Sequence, residues 1–365
     1  MKPLEGVRVL DLSRLLPGPM CTWYMVGMGA TVTKVESPDG SDYLRFSPPL
    51  GPDGDGAWFS ALNAGKESVA LNLKRPSHLD AVKALIAGSD VVIEGFRPGV
   101  MKRLGLDPAT LLNEHPALIV CSISGYGQTG PMCAAPGHDL TYQAVAGALS
   151  TGARRDGVPQ VPGILLADLA GGALTACMRV CAALVARART GKGRWVDVSM
   201  AESALALMAP AVSAMAVVGE NPVPGGDLLT GAAAQYRIYR CKDDQFIAFA
   251  PLESKFWSAF LAVVGGEVEA DSMDLALLFS QRDRDEWVEL LANACCAPVL
   301  ELDELLEFPQ HQARQSITRR DGIVRVSHPE NGGSETAHLP SPRLGEHTAH
   351  ALRRVGYDPA QLEER

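Results

Sequence analysis

The chain has no Cys-x-x-Cys pair among its eight cysteines, which lie at 21, 121, 133, 177, 181, 241, 295 and 296. That absence argues against a disulfide framework. Cysteines inside apolar runs such as Leu118-Ile-Val-Cys121 read as reduced core residues of a cytoplasmic protein. An excess of positive charge is also lacking: the net charge is −9 and the isoelectric point about 5.4, which disfavours nucleic acid or an anionic membrane as the main partner. The apolar stretch 201–218 is interrupted by Glu202 and Pro210, so no membrane span is expected. Met1-Lys-Pro-Leu-Glu-Gly6 leads straight into a strand pattern, and no signal peptide is expected. No Gly-x-Gly-x-x-Gly follows that first strand, which weighs against a nicotinamide dehydrogenase. The histidines at 78, 115, 138, 311, 328, 338, 347 and 350 show no paired ligand spacing apart from 347 and 350, so no metal is expected. Neither internal repeats nor low-complexity tracts are present.

What is present is alternation. Short β-branched runs at 7–11, 30–35, 90–94 and 117–123 are separated by helical patterns near 19–28, 78–87 and 108–114. Near-continuous apolar strands of this kind predict a parallel sheet covered on both faces, with ligands beyond the strands' carboxyl ends. The segment 168–189 predicts one long helix with Asp168 as its N-cap, stopped by Gly191-Lys-Gly193, and 194–199 returns as a strand. Helical residues 200–218 and the Pro/Gly-rich 220–226 lead to a hairpin at 236–241 and 245–249, then to helices over 253–264 and 283–294. The expected class is α/β: a Rossmann-like parallel-sheet large domain over 1–199, a linker over 200–235 and a smaller α+β domain over 236–305. A return linker over 306–338 and a C-terminal part of the large domain over 339–365 complete the chain.

Two acid–base candidates stand out: His138, within Gly137-His138-Asp139, and Asp168. An imidazole and a carboxylate facing one another across a substrate can move a proton between the two faces of a carbon. The plainer reading is structural, with Asp139 and Asp168 as helix caps.

Several segments in order resemble the family III CoA-transferases, the CaiB–BaiF group. They include Pro3-Leu-Glu-Gly-Val-Arg-Val-Leu-Asp-Leu12, Gly29-Ala-Thr-Val-Thr-Lys-Val-Glu36, Asn63-Ala-Gly-Lys-Glu-Ser-Val-Ala-Leu-Asn-Leu-Lys74, Glu94-Gly-Phe-Arg-Pro-Gly-Val100, Gly125-Tyr-Gly-Gln-Thr-Gly-Pro131 and Pro342-Arg-Leu-Gly-Glu-His347. The resemblance implies an enzyme acting on acyl-CoA thioesters, with coenzyme A as part of the substrate and no other cofactor. It also implies an interlocked homodimer. Gly137-His138-Asp139 together with Asp168 resembles the α-methylacyl-CoA racemase branch, in which His138 and Asp168 would act as two bases. Glu253, supplied by the partner's small domain, would orient His138. The alternative within the resemblance is a CoA-transferase that uses Asp168 as nucleophile, through an anhydride and then a thioester. Ile164 stands where racemases usually carry Asn, a departure on the Asp168 side.

For the CoA moiety the resemblance points to Arg97 as phosphate ligand, to Leu73 and Lys74 as contacts for adenine and phosphate, to Phe96 as a further CoA contact, and to Tyr142 and Tyr236 as pocket residues. Backbone N–H groups at the start of the Asp168 helix are expected to face an enolate oxygen, with Gly171-Gly172 allowing close approach of the ligand. Asp139 could hold the His138 tautomer or cap its helix, and the cap is the favoured reading. The acyl group is not specified.

Overall fold

The computed structural model describes residues 2–40, 42–265, 272–320, 322–328 and 339–362. The chain divides into two compact units. The first comprises residues 1–146, 163–208 and 308–365, and the second residues 147–162 and 209–307. The expected return linker therefore groups largely with the first unit, and its residues 329–338, His338 among them, lie outside the described residues.

The first unit is built on β1 (Arg8–Asp11), β2 (Thr31–Glu36), β3 (Glu67–Ala70), β4 (Val91–Glu94) and β5 (Ile119–Ser124). A short antiparallel hairpin, β6 (Arg154–Arg155) and β7 (Val158–Pro159), which has no clear periodicity in sequence, belongs to the second unit. The strand β8 (Arg194–Ser199) then completes a sheet ordered β3-β2-β1-β4-β5-β8, with every pairing parallel. Alternate residues of one strand enter opposite cores. Val9, Val91, Ile93 and Val196 pack on one face, and Leu10, Val92, Val120 and Val69 on the other. Both faces are thus dry, which explains why these strands read as unbroken apolar runs. The order reverses between β1 and β4, and the crevice beyond such a reversal is where open α/β sheets hold ligands.

The long apolar helix differs from expectation. It starts at Leu166 and is π-helical over Leu166–Leu174 before continuing as an α-helix over Thr175–Thr190. Asp168 therefore lies in the first turn and is not the cap. By length and composition Leu166–Thr190 could cross a membrane. Its Ala167, Ala173, Ala176, Val180 and Ala183 are instead buried in the core on one face of the sheet.

In the second unit, strands Arg237–Arg240, Phe246–Phe249 and Cys296–Pro298 form an antiparallel sheet. Helices Ser254–Val264, Ser272–Phe279 and Arg284–Leu290 accompany it. The core there is aromatic: the Phe249 ring lies 4.9 Å from Phe260 and 5.1 Å from Phe279.

Candidate active site

The residues that leave the carboxyl ends of β1, β4 and β5 enclose a cavity of about 440 Å³. Ser13, Arg14 and Leu15 follow β1, Phe96 and Arg97 follow β4, and Ser124 and Gly125 close β5. Gly137, His138, Tyr142 and Asp168 line the same cavity. A second cavity, of about 300 Å³, lies beyond β1, β2 and β3 and is walled by Lys34, Glu36, Asp42, Leu73, Lys74 and Phe96 among others. Arg14, Phe96 and Val100 wall both, so the two spaces adjoin.

The structure brings His138, Asp168, Arg97, Phe96 and Tyr142 to the first cavity and Leu73, Lys74 and Phe96 to the second. Arg97 consequently stands with the acid–base candidates His138 and Asp168, and apart from Lys74. Glu253 and Tyr236 belong to the second unit. Glu253 is exposed immediately before the helix Ser254–Val264, its carbonyl accepting the Phe256 N–H, while Tyr236 is half-buried.

His138 is exposed and precedes the helix Asp139–Val145. The Thr141 hydroxyl accepts from the His138 backbone N–H at 3.1 Å and donates to its carbonyl at 2.8 Å, so a threonine secures this helix start. Asp139 is not the cap that was expected. It is buried, and its Oδ2 accepts from Gln143 Nε2 at 2.6 Å while its Oδ1 accepts the Asp168 backbone N–H at 3.0 Å. The residue after the histidine thus holds the second acid directly.

Burial, reinforced by the charge on Asp139, pushes the Asp168 carboxyl up to about 7. Desolvation penalises the charged form, and the nearby carboxylate adds like-charge repulsion. The Asp168 amide is bonded to Asp139 and the Leu169 amide to the Leu165 carbonyl, so neither is available to an enolate oxygen. Gly171 and Gly172 also depart from expectation, because their close approach is to protein. A Cβ at Gly171 would lie 2.9 Å from the Met200 carbonyl, and one at Gly172 2.9 Å from Pro17 Cβ.

Tyr142 is buried and stands edge-on to Tyr126, with ring centroids 5.1 Å apart. A Cβ at Gly125 or Gly137 would collide with its ring. Burial and the neighbouring Asp168 push its phenol up to about 12, so it stays protonated at neutral pH.

Sequence reading missed the buried ions behind the cavity wall. Asp11 ends β1 with no exposed surface, accepting from the Ser13 N–H at 2.9 Å, from the Ser13 hydroxyl and from Thr22 Oγ1 at 2.6 Å. Lys66 donates to Asp11 at 3.3 Å, to the Pro19 carbonyl at 2.9 Å and to Asn63 Oδ1 at 2.9 Å. Burial opposes the charge on Asp11, but Lys66, Lys34 and the two hydroxyls together hold its carboxyl below the usual range. Burial pushes Lys66 down to about 8, leaving it mostly charged at pH 7. Arg45 pairs with Glu36 at 2.7 Å and Asp55 at 2.6 Å while stacking over Phe59 at 3.9 Å. Glu94, pushed up to about 7 by burial, accepts the Phe96 N–H at 2.8 Å and so shapes the turn that carries Arg97. The segments Pro3–Leu12, Gly29–Glu36, Asn63–Lys74 and Glu94–Val100 contain Asp11, Lys34, Glu36, Lys66 and Glu94 but say nothing of their pairing.

Residues 4–348 match the family model described as CoA-transferase family III. The chain belongs to that family. Among its relatives, the α-methylacyl-CoA racemase of Homo sapiens is 32% identical, over 98% of this chain and 95% of that protein. The acetyl-CoA:oxalate CoA-transferase of Acetobacter aceti is also 32% identical, over 96% of this chain and 95% of that protein. A solved CaiB/BaiF family protein from Brucella suis superposes with a TM-score of 0.85 at 28% identity, covering 97% of this chain and 99% of the other. Racemases and transferases are thus both relatives of this family III enzyme, at similar distance. Among the described residues, no group of three or more His, Cys, Asp or Glu side chains could hold a metal ion.

Proposed function

We propose that this family III enzyme is a racemase or epimerase of 2-methylacyl-CoA thioesters that works by two-base proton transfer. The observation that carries the reading is the presence of His138 and Asp168 in the wall of one cavity, with the Asp168 carboxyl poised near neutrality. A base that must return a proton in the reverse direction needs both of its protonation states populated, and a pKa near the working pH supplies both. A nucleophilic carboxylate needs only the ionised form, and it gives His138 no task.

In this reading the α-proton of the thioester is removed by one of the pair while the other donates to the opposite face. Either order is possible, according to the substrate's configuration. Leu73, Lys74 and Phe96 take the nucleotide end of CoA in the smaller cavity, while the thioester end passes Phe96 and Arg97 into the larger. Tyr142, protonated, is a hydrogen-bond donor on the same wall. The enzyme acts as a homodimer in which the partner's small domain brings Glu253 to His138.

The test is hydrogen exchange at C2 of a 2-methylacyl-CoA in D₂O with no acceptor acid present. The native enzyme is expected to incorporate deuterium and to invert the centre. His138→Ala and Asp168→Asn are each expected to slow this by about 10²- to 10⁴-fold, the usual worth of a positioned general acid or base. Absence of exchange by the native enzyme, with a hydroxylamine-trappable acyl adduct on Asp168, would establish the transferase reading instead.

A further inference from the structure

The turn after β1 stands between the two cavities. Arg14 walls both, while Ser13 and Leu15 wall the one that holds His138 and Asp168. Leu15 has φ of +65°, a left-handed conformation that a leucine keeps only where its surroundings impose it. Two side chains from the smaller cavity impose it. Lys34, with no exposed surface, donates from Nζ to the Ser13 carbonyl at 2.8 Å. Asp42, also buried, accepts the Leu15 N–H on Oδ1 at 3.4 Å, and its Oδ2 lies 3.3 Å from Lys34 Nζ. That Oδ2 has an ion-pair neighbour but no hydrogen-bond donor. A carboxyl oxygen left this way, in a residue that lines the cavity, is an acceptor for a hydroxyl or amino group of whatever binds there.

We propose that Lys34 and Asp42 are positioning residues that couple the two cavities. The nucleotide end of an acyl-CoA, donating to Asp42, braces the Ser13–Leu15 turn against which the thioester end must lie. The inference rests on the proposed placement of CoA, with its nucleotide beside Leu73 and Lys74. Binding energy from a remote, unreactive part of the substrate would thereby sharpen geometry at the reacting carbon, and so act on kcat as well as on KM.

The first test uses the native chain and requires no catalysis. Amide hydrogen exchange in the segment 12–18 is followed by mass spectrometry with and without adenosine 3′,5′-bisphosphate, whose binding is checked by calorimetry. Exchange at the Leu15 amide is expected to slow by about tenfold on binding, as opening of the turn is suppressed. Unchanged exchange in the bound protein overturns the coupling, and so does a failure of the bisphosphate to bind at millimolar concentration.

The second test compares kcat for C2 exchange of an acyl-CoA with kcat for the same acyl group on pantetheine. The native ratio is expected to be about ten or more, falling towards one in Asp42→Asn. Because both rates come from one preparation, any loss of folded protein cancels in the ratio. A native ratio near one, or a variant that keeps the native ratio, overturns the proposal. Exchange of acyl-CoA by the native enzyme would meanwhile leave the two-base reading standing, so the two failures are distinguishable.

Discussion

Asp139 grips Asp168 by its backbone: the carboxylate oxygen of one accepts the amide hydrogen of the other at 3.0 Å. Because Asp139 directly follows His138 in the chain, a single residue links the two acid–base candidates mechanically. Its negative charge also helps to keep the Asp168 carboxyl protonated near neutral pH.

Asp139→Asn removes that charge while preserving an oxygen for the Asp168 amide. The Asp168 pKa is expected to fall from about 7 towards its ordinary value. In the direction where Asp168 removes the proton, the rising limb of the pH–rate profile should move to lower pH. In the direction where it donates, the falling limb should move the same way. A profile of C2 deuterium exchange against pH in both directions checks this, and limbs that stay in place would contradict it.

Asp168→Asn should change the pH dependence of stability. The folded-state pKa is raised, so the native carboxyl favours folding below about pH 4 and that contribution is lost as pH rises through about 7. The variant carries no such loss. It should gain on the native protein between pH 4 and pH 8 by about 1–3 kcal/mol, discounted for the partial exposure of the group. Urea unfolding at both pH values measures the difference, and a difference that does not vary with pH would refute the assignment.

Gly137→Ala should displace the Tyr142 ring, because the new methyl group would occupy the ring's place. Overpacking of this kind costs about 1–3 kcal/mol. Chemical denaturation reports the loss of stability, and the exchange rate should fall with it because Tyr142 and Gly137 both wall the cavity.

Lys66→Met should destabilise the fold by about 3–5 kcal/mol, since it takes from the fully buried Asp11 its ion-pair partner and leaves only Lys34 to offset the charge. Adding Asp11→Asn should recover part of that loss, and a double-mutant cycle gives the coupling. Additive single effects would mean that the pair contributes little.

Much of the fold was legible because its signals are local. Strand runs such as Val91-Val92-Ile93 are apolar on both sides of the pleat, and only a sheet covered on both faces buries them all. The π-helical start at Leu166–Leu174 was not legible. It accompanies close packing of Gly171 and Gly172 against Met200 and Pro17, and small residues in an apolar helix do not announce their neighbours. The mistaken cap at Asp139 has a similar origin: Asp before a helical pattern is an ordinary N-cap signal, and the competing acceptor role depends on an amide far along the chain.

From sequence alone followed the α/β class, the CoA-transferase family III membership later found over residues 4–348, and the choice of His138 and Asp168 as acid–base candidates. Each rests on residue types at short or ordered spacing, which one-dimensional pattern preserves. The tertiary structure alone decided that these two residues wall one cavity, that Arg97 stands with them and Lys74 does not, and that buried ions at Asp11, Lys34, Asp42 and Lys66 hold the turn between. Those are encounters between residues far apart along the chain. The energy of a buried charge depends on what the packing brings within a few ångströms of it, which no local pattern specifies.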